Sequence, residues 1–265
     1  MHFSELPQHG NHSYPAPIFL DPKKLGTCLV LSDVHAPYTH KESFEAALMD
    51  AKAQGVTSVI INGDFLDMHR VSRYGTNHQA PNVQAEIDYA TSLIDYIDEV
   101  LDNPTIIWKD GNHDIRLQAY INANAPEIAG IAGTTIYDLM KMEDRGIVYT
   151  GRRMTSYGDL LVIHGDEVRG IGGIDPARKA AAKFPGMNVM CGHTHRGESR
   201  YFKRPDGFVT HTHVVGHLGE CSPEYHPYTN WRLGWAIIEE IDGTVHVDNM
   251  VWENGRSFNV STMQR

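Results

Sequence analysis

Five apolar runs in this chain end the same way: each leads, within a few residues, to a short cluster of metal-capable side chains, in four of the five with glycine at or beside the turn. Cys28-Leu29-Val30-Leu31 gives onto Ser32-Asp33-Val34-His35, and Val59-Ile60-Ile61 onto Gly63-Asp64-Phe65-Leu66-Asp67. Thr105-Ile106-Ile107-Trp108 precedes Gly111-Asn112-His113-Asp114, and Leu160-Leu161-Val162-Ile163 precedes His164-Gly165-Asp166. Met187-Asn188-Val189-Met190 precedes Gly192-His193-Thr194-His195. Helical spacing lies between the runs, at Phe44, Ala47, Leu48 and Ala51, then at Val83, Ile87, Ala90, Ile94, Ile97 and Leu101. Asp175-Pro176 opens a third, alanine-rich helix that reaches Lys183. Strand–helix–strand alternation predicts a largely parallel sheet, in which the ends of successive strands share one edge. The five clusters are therefore expected to converge there.

The rest of the chain narrows the class. Sixteen histidines are too many for surface decoration, and several stand beside Asp, Asn or Gly, which points to metal chemistry. A formal charge of −10 argues against broad electrostatic attraction to nucleic acid. Three cysteines, Cys28, Cys191 and Cys221, have no paired spacing and read as reduced thiols in a cytoplasmic protein. The opening residues lack a basic start and an apolar run, and no stretch approaches the roughly 20 apolar residues that span a bilayer. Neither export by such a signal nor a membrane location is expected. Residues 1–26, with Pro7, Pro15, Pro17 and Pro22, read as an irregular arm, and 27–265 as a single domain. After Arg196 the pattern turns to hairpins, with turns at Asp206-Gly207 and Asp242-Gly243, so the tail is expected to be antiparallel.

Asp33-x-His35 and His193-x-His195 place donors two residues apart, which on an extended backbone face the same way. The donors are nitrogen and oxygen without thiolate, enough for two divalent transition-metal ions: Mn²⁺ first, with Fe, Zn²⁺ or Ni²⁺ as the other candidates. Two ions need a bridging ligand, for which Asp64 is the natural carboxylate. Charge counting leaves such a pocket net positive, suited to an anionic substrate. Metals about 3.5 to 4 Å apart are a device for in-line displacement at phosphorus, with a bridging hydroxide as attacking group. His113, beside the candidate ligand Asn112, can protonate the leaving oxygen, with Asp114 holding its tautomer.

The ordered set Asp-x-His, Gly-Asp-x-x-Asp, Gly-Asn-His-Asp, a lone His and Gly-His-x-His resembles the calcineurin-like metallophosphoesterase superfamily over residues 33–195. The resemblance implies an α/β fold, a four-layer α/β/β/α sandwich of two mixed sheets flanked by helices. It implies one metal held by Asp33, His35, Asp64 and His195, and the other by Asp64, Asn112, His164 and His193, with His113 as the acid. Protein phosphatases of the superfamily carry Arg-Gly after the second motif, whereas Asp67 here is followed by Met68-His69-Arg70. A large repair-type nuclease is disfavoured by the short stretch after His195. The expected activity is hydrolysis of a phosphodiester of nucleotide or nucleic-acid type. A phosphomonoesterase is the alternative within enzymes, and a non-catalytic protein-binding module on the same fold the alternative outside them.

Other residues receive plainer readings. Asp67 is expected to hydrogen-bond a ligand rather than bind metal. Among Arg70, Arg73, Arg116 and Arg196, the better substrate-phosphate contacts are Arg116 and Arg196. His211 and His213 read as exposed strand residues, and His2, His9, His12, His40, His78 and His246 as surface residues. Tyr225, Tyr228 and Trp231 can stack a nucleobase, but packing in the core or a hairpin is the default. Cys28 and Cys191 read as small core residues.

Overall fold

A computed structural model of the protein describes residues 16–73, 80–220 and 229–262. His2, His9, His12, His78, Cys221, Tyr225 and Tyr228 lie outside the described residues. The chain opens with β1 (Ile18–Leu20), α1 (Pro22–Leu25) and β2 (Cys28–Leu31), then α2 (Lys41–Ala53), β3 (Ser58–Asn62), α3 (Val83–Leu101) and β4 (Thr105–Lys109). After α4 (Arg116–Asn124) and α5 (Ile136–Leu139) come β5 (Val148–Gly151), β6 (Thr155–Tyr157), β7 (Leu160–Val162), α6 (Pro176–Lys183) and β8 (Asn188–Cys191). The tail is β9 (Glu198–Lys203), β10 (Val209–Val214), β11 (Leu233–Ile241), β12 (Thr244–Glu253) and β13 (Arg256–Asn259).

These strands form two mixed sheets, ordered β1-β6-β7-β8-β10-β9 and β13-β12-β11-β2-β3-β4-β5. Strand periodicity sorts the core into layers. Leu29, Leu31, Val59, Ile61, Ile106 and Trp108 face outward from the seven-stranded sheet and pack under α2 and α3. Their neighbours Cys28, Val30, Ile60 and Ile107 face inward and meet Leu160, Val162, Met190 and Val215 of the other sheet. Leu161, Ile163, Val189 and Cys191 turn to the far side of the six-stranded sheet, against Ala177 and Ala180 of α6. The architecture is thus α/β/β/α. The Asp175 cap is as expected, accepting from the Arg178 N–H with Pro176 in the first turn, and the helix from Val83 is capped by Asn82, which accepts from the Ala85 N–H.

Two expectations change here. Part of the supposed irregular arm is ordered, because β1 pairs in parallel with β6 and Asp21 caps α1 ahead of Pro22. The parallel strands also do not share one sheet. β2, β3 and β4 belong to the seven-stranded sheet, and β7 and β8 to the six-stranded one. Their loops meet because the two faces stack with those ends together. The antiparallel tail divides likewise: the β9–β10 hairpin completes one sheet, and β11–β13 extend the other from β2. Among the described residues no helix is long and apolar enough to cross a membrane.

Candidate metal centre

The ligand-bearing loops leave their strands in strained backbone. Asp33, His35, Asp64, His193 and His195 all have φ between +50° and +64°, a left-handed region that non-glycine residues visit mainly as Asn, Asp or His. The extended geometry expected for Asp33-x-His35 and His193-x-His195 is therefore not how these pairs come to face one site. The sharp reversals bring their side chains inward, and loop-to-loop bonds fix them: the Asp33 N–H donates to Gly63 O at 3.0 Å, and the His35 N–H to Asp64 O at 3.0 Å. The Gly192 N–H donates to His164 O at 2.7 Å. Close packing explains two of the glycines. A Cβ on Gly111 would overlap the Asp64 carboxylate and backbone N, and one on Gly192 would overlap Ser32 Oγ and Asp33 Oδ2.

Among the described residues three clusters of donors result, one of them joining His35 to Asp67 and His113. In the first of the other two, Asp33 Oδ1 lies 3.2 Å from His195 Nε2, which lies 3.2 Å from His35 Nε2. In the second, Asp64 Oδ2 lies 3.2 Å from His164 Nε2, with His193 in the same group. The other atom of four of these donors is already occupied, whereas His195 Nδ1 is buried without a hydrogen-bonding partner. Asp33 Oδ2 accepts from Ser32 Oγ at 2.5 Å and the His193 N–H at 2.8 Å, and Asp64 Oδ1 accepts from the His113 N–H at 2.7 Å. His35 Nδ1 is 3.1 Å from Asp67 Oδ1, and His164 Nδ1 is 2.8 Å from Asn62 O. With protons on those Nδ1 atoms, both Nε2 lone pairs point inward. Asp33 Oδ1, Asn112 Oδ1 and His164 Nε2 are buried without a hydrogen-bonding partner.

Acceptors facing acceptors at 3.2 Å call for a cation between them. Atoms each about 2.1 Å from one ion have about this mutual spacing, so the residues present fit divalent metal. The electrostatics agree. Burial opposes ionisation of Asp33 and Asp64, yet His195 beside the first and His164 and His113 beside the second hold both well below the usual carboxylate range. Burial likewise disfavours charge on His164, but Asp64 raises it to about 10. In effect a proton stands where a cation would neutralise the pair.

The acid site departs from expectation. Asp114 does not hold the His113 tautomer. It is 1% exposed and accepts from the Asp64, Gly111 and Leu66 N–H groups at 2.7, 2.8 and 3.0 Å, clamping two motif loops together. Burial and the charges of Asp64 and Asp110 raise it to about 7. The carboxylate beside His113 is Asp67, with Oδ1 at 3.2 Å and the backbone O at 3.0 Å from Nδ1. Arg116 donates to the same Asp67 O at 2.8 Å, and its Nη2 lies 2.9 Å from His113 Nε2. A cavity of about 720 Å³ opens here, with Asn112, Arg116 and His193 in its lining. Arg196 is not part of that lining. Its guanidinium donates to Gly173 O at 2.9 Å and Gly172 O at 3.5 Å.

Several contributors went unread in the sequence. His217, 1% exposed, stacks on His195 with ring centroids 4.7 Å apart. It follows Val214-Val215-Gly216 at the end of β10, the same apolar-run-then-glycine signal that marked the Gly63, Gly111 and Gly192 clusters. Trp231 meets His195 edge-on at 4.3 Å rather than packing in a hairpin. Lys109 Nζ, wholly buried on the inward face of β4, pairs with Glu167 Oε1 at 2.9 Å across the sheets. Glu167 accepts from the Gly165 N–H at 2.7 Å, and against its burial Lys109 holds it down at about 2. Asn62 adds a second tie, donating to Ile163 O at 2.8 Å. His213, expected to be exposed, is 3% exposed and hydrogen-bonded to Ser199 and His211, whereas His40 caps α2 and His246 is exposed.

No protein-family model matches the chain, and no curated protein matches it. Among solved structures it is similar to Vps29 of Entamoeba histolytica complexed with Zn²⁺, at 14% identity over 88% of this chain and 96% of that one, with a TM-score of 0.47. It is also similar to Yfce, a phosphoesterase from E. coli, at 13% identity over 88% of this chain and 99% of that one, with a TM-score of 0.42. A third is a conserved uncharacterized protein, a predicted phosphoesterase, from Streptococcus pneumoniae, at 15% identity over 88% and 97% and a TM-score of 0.37.

Proposed function

We propose that this chain is a calcineurin-like metallophosphoesterase that holds two divalent cations and hydrolyses a phosphodiester. The observation that carries the reading is the pair of buried acceptor clusters, with His35 and His164 turned inward by their occupied Nδ1 atoms, beside a cavity lined by Arg116, whose guanidinium lies 2.9 Å from His113. Asp33, His35 and His195 hold one cation, and Asn112, His164 and His193 the other. Asp64 is shared, in keeping with its charge acting on His35 and His195 of the first cluster as well as on His164. Such cations supply Lewis-acid charge and a water acidified enough to attack phosphorus at neutral pH. Mn²⁺ is the first candidate, with Fe, Zn²⁺ and Ni²⁺ compatible with the same donors.

The protein's own groups supply the rest. Arg116 places a guanidinium over the cavity and next to His113, where it can bind a phosphoryl oxygen. His113 Nε2 accepts from Arg116 in the free protein. When a substrate oxygen draws Arg116 away, Nε2 can carry a proton to the leaving oxygen while Asp67 stabilises the charged ring. Asp114 keeps the second and third loops in register and moves no proton. A cytoplasmic setting belongs to the same reading, since Cys28 and Cys191 are free and buried.

The test compares bis(p-nitrophenyl) phosphate with p-nitrophenyl phosphate, using protein loaded with Mn²⁺. Faster diester turnover is expected. Faster monoester turnover would reverse the diester assignment, and absence of both bound metal and metal-stimulated turnover would end the enzyme reading.

A further inference from the structure

The cavity does not stop at the metal centre. It runs on along α4, whose residues 116, 119, 120 and 123 share one helical face. The opposite face is conventional, with Leu117 and Ile121 buried in the core. The cavity face, by contrast, carries Ala119, Tyr120 and Ala123, all exposed, with Ile115 at its inner end. Tyr120 is 47% exposed, and Val71 lines the same space from the loop after β3. From Ile115 to Asn124 the helix rises about 13 Å. Apolar residues along a helix surface that nothing in the described chain covers, continuous with a charged reaction centre, are the form of a ligand subsite.

The two small alanines leave room where a longer side chain would fill the cleft, and the aromatic side chain of Tyr120 lines the same space. Ring faces and guanidinium planes favour a flat partner over a flexible one. A cleft of about 720 Å³ exceeds what a phosphate group fills and lies in the range of compact organic ligands, about 300 to 1,000 Å³. We propose that α4 forms a subsite for one ester arm of the substrate, and that this arm is a planar, nucleoside-sized group laid against Ala119, Tyr120 and Ala123. The proposal rests on the phosphodiesterase reading above and specifies its substrate class. The arm leaves the phosphorus beside Asn112, His193 and Arg116 and extends outward over the alanines.

The test uses three diesters that share a p-nitrophenolate leaving group and differ in the second arm: methyl, octyl and 5′-thymidyl. Turnover is measured as kcat/KM on the Mn²⁺-loaded protein. The thymidyl ester is expected to exceed the methyl ester by at least about tenfold, and Ala119→Trp to bring that ratio close to one. Because the readout is a ratio, a general loss of active protein cancels. Should Ala119→Trp fail to fold, Tyr120→Ala at its exposed position is expected to lower the ratio at least threefold. Equal rates for methyl and thymidyl esters, or a ratio unaffected by the variant that folds, would overturn the proposal. An octyl ester faster than the thymidyl ester would overturn it in favour of a flexible alkyl arm. If no ester turns over, the catalytic reading fails by itself, and the subsite is then judged by equilibrium binding of thymidine 5′-phosphate. Ala119→Trp, or Tyr120→Ala in its place, is expected to weaken that binding about tenfold, and binding that is absent or unaffected would overturn the subsite too.

Discussion

Lys109 offers the sharpest test of how the two sheets are held over the site. Its ammonium is fully buried and lies 2.9 Å from a Glu167 carboxylate that is 18% exposed. Lys109→Met keeps an unbranched side chain of similar length but leaves that carboxylate without its counter-charge. Breaking a buried pair from one side costs about 3 to 5 kcal/mol. Glu167 keeps the Gly165 N–H and some water, which places the expected loss at the lower end, about 3 kcal/mol. The direction of the Glu167 shift agrees, since Lys109, with the Gly165 N–H, holds that carboxylate below its ordinary range against its burial. Urea unfolding at neutral pH should show the loss, and thermal unfolding a midpoint lower by about 6 to 12 °C. Lys109→Met/Glu167→Gln should recover most of it, since a neutral pair leaves no stranded charge. Because Glu167 also fixes the turn carrying His164, Mn²⁺ affinity of the single variant should fall about tenfold. A loss under about 1 kcal/mol, or a double variant no more stable than the single, would refute the reasoning.

Three further outcomes follow from the same structure. Asp64→Asn removes the shared ligand, so Mn²⁺ content measured by elemental analysis and diesterase turnover should fall together, affinity by more than about a hundredfold. His113→Ala should keep its metal while kcat drops by about 10² to 10⁴, and release of metal by that variant would show that ligand and acid have been divided wrongly. Glu86 is wholly buried on α3, where it accepts the Met68 N–H at 2.6 Å, and burial raises it from 4.5 to about 7. An acid raised on folding contributes stability that is complete below its unfolded value and lost as pH rises through the folded one. Relative to Glu86→Gln, the wild-type protein should therefore lose about 3 kcal/mol between pH 4.5 and pH 8. A difference between the two proteins that stays constant across that window would contradict the assignment.

What could be read in the sequence was what lies close along the chain. An apolar run followed by Gly-Asp or Gly-His is a local pattern, and so are the cap at Asp175 and the turns at Asp206-Gly207 and Asp242-Gly243, and the elements fall where those patterns put them. Pairing of β7 and β8 in a sheet separate from β2 to β4 is not local. Val162 and Ile60 are both apolar strand residues, and only their mutual packing shows that they face each other across two sheets. The same limit governs the carboxylates. Asp114 stands next to His113 in sequence, but α4 begins two residues later, at Arg116, and the tight turn sends its side chain back to the Asp64, Leu66 and Gly111 amides. Asp67, from a different loop, takes the place beside the ring. Adjacency along the chain thus names which residue types a loop brings, whereas the turn at its end decides which one reaches the reacting group. Lys109 shows this most plainly. Two residues beyond the inward-facing Ile107, strand alternation alone turns it into the space between the sheets, where a lysine is tolerable only if a carboxylate arrives from the other side. A buried position for a charged residue is therefore itself a statement about a distant partner, and Glu167, three residues past His164, supplies it at the point where the second sheet delivers its first ligand.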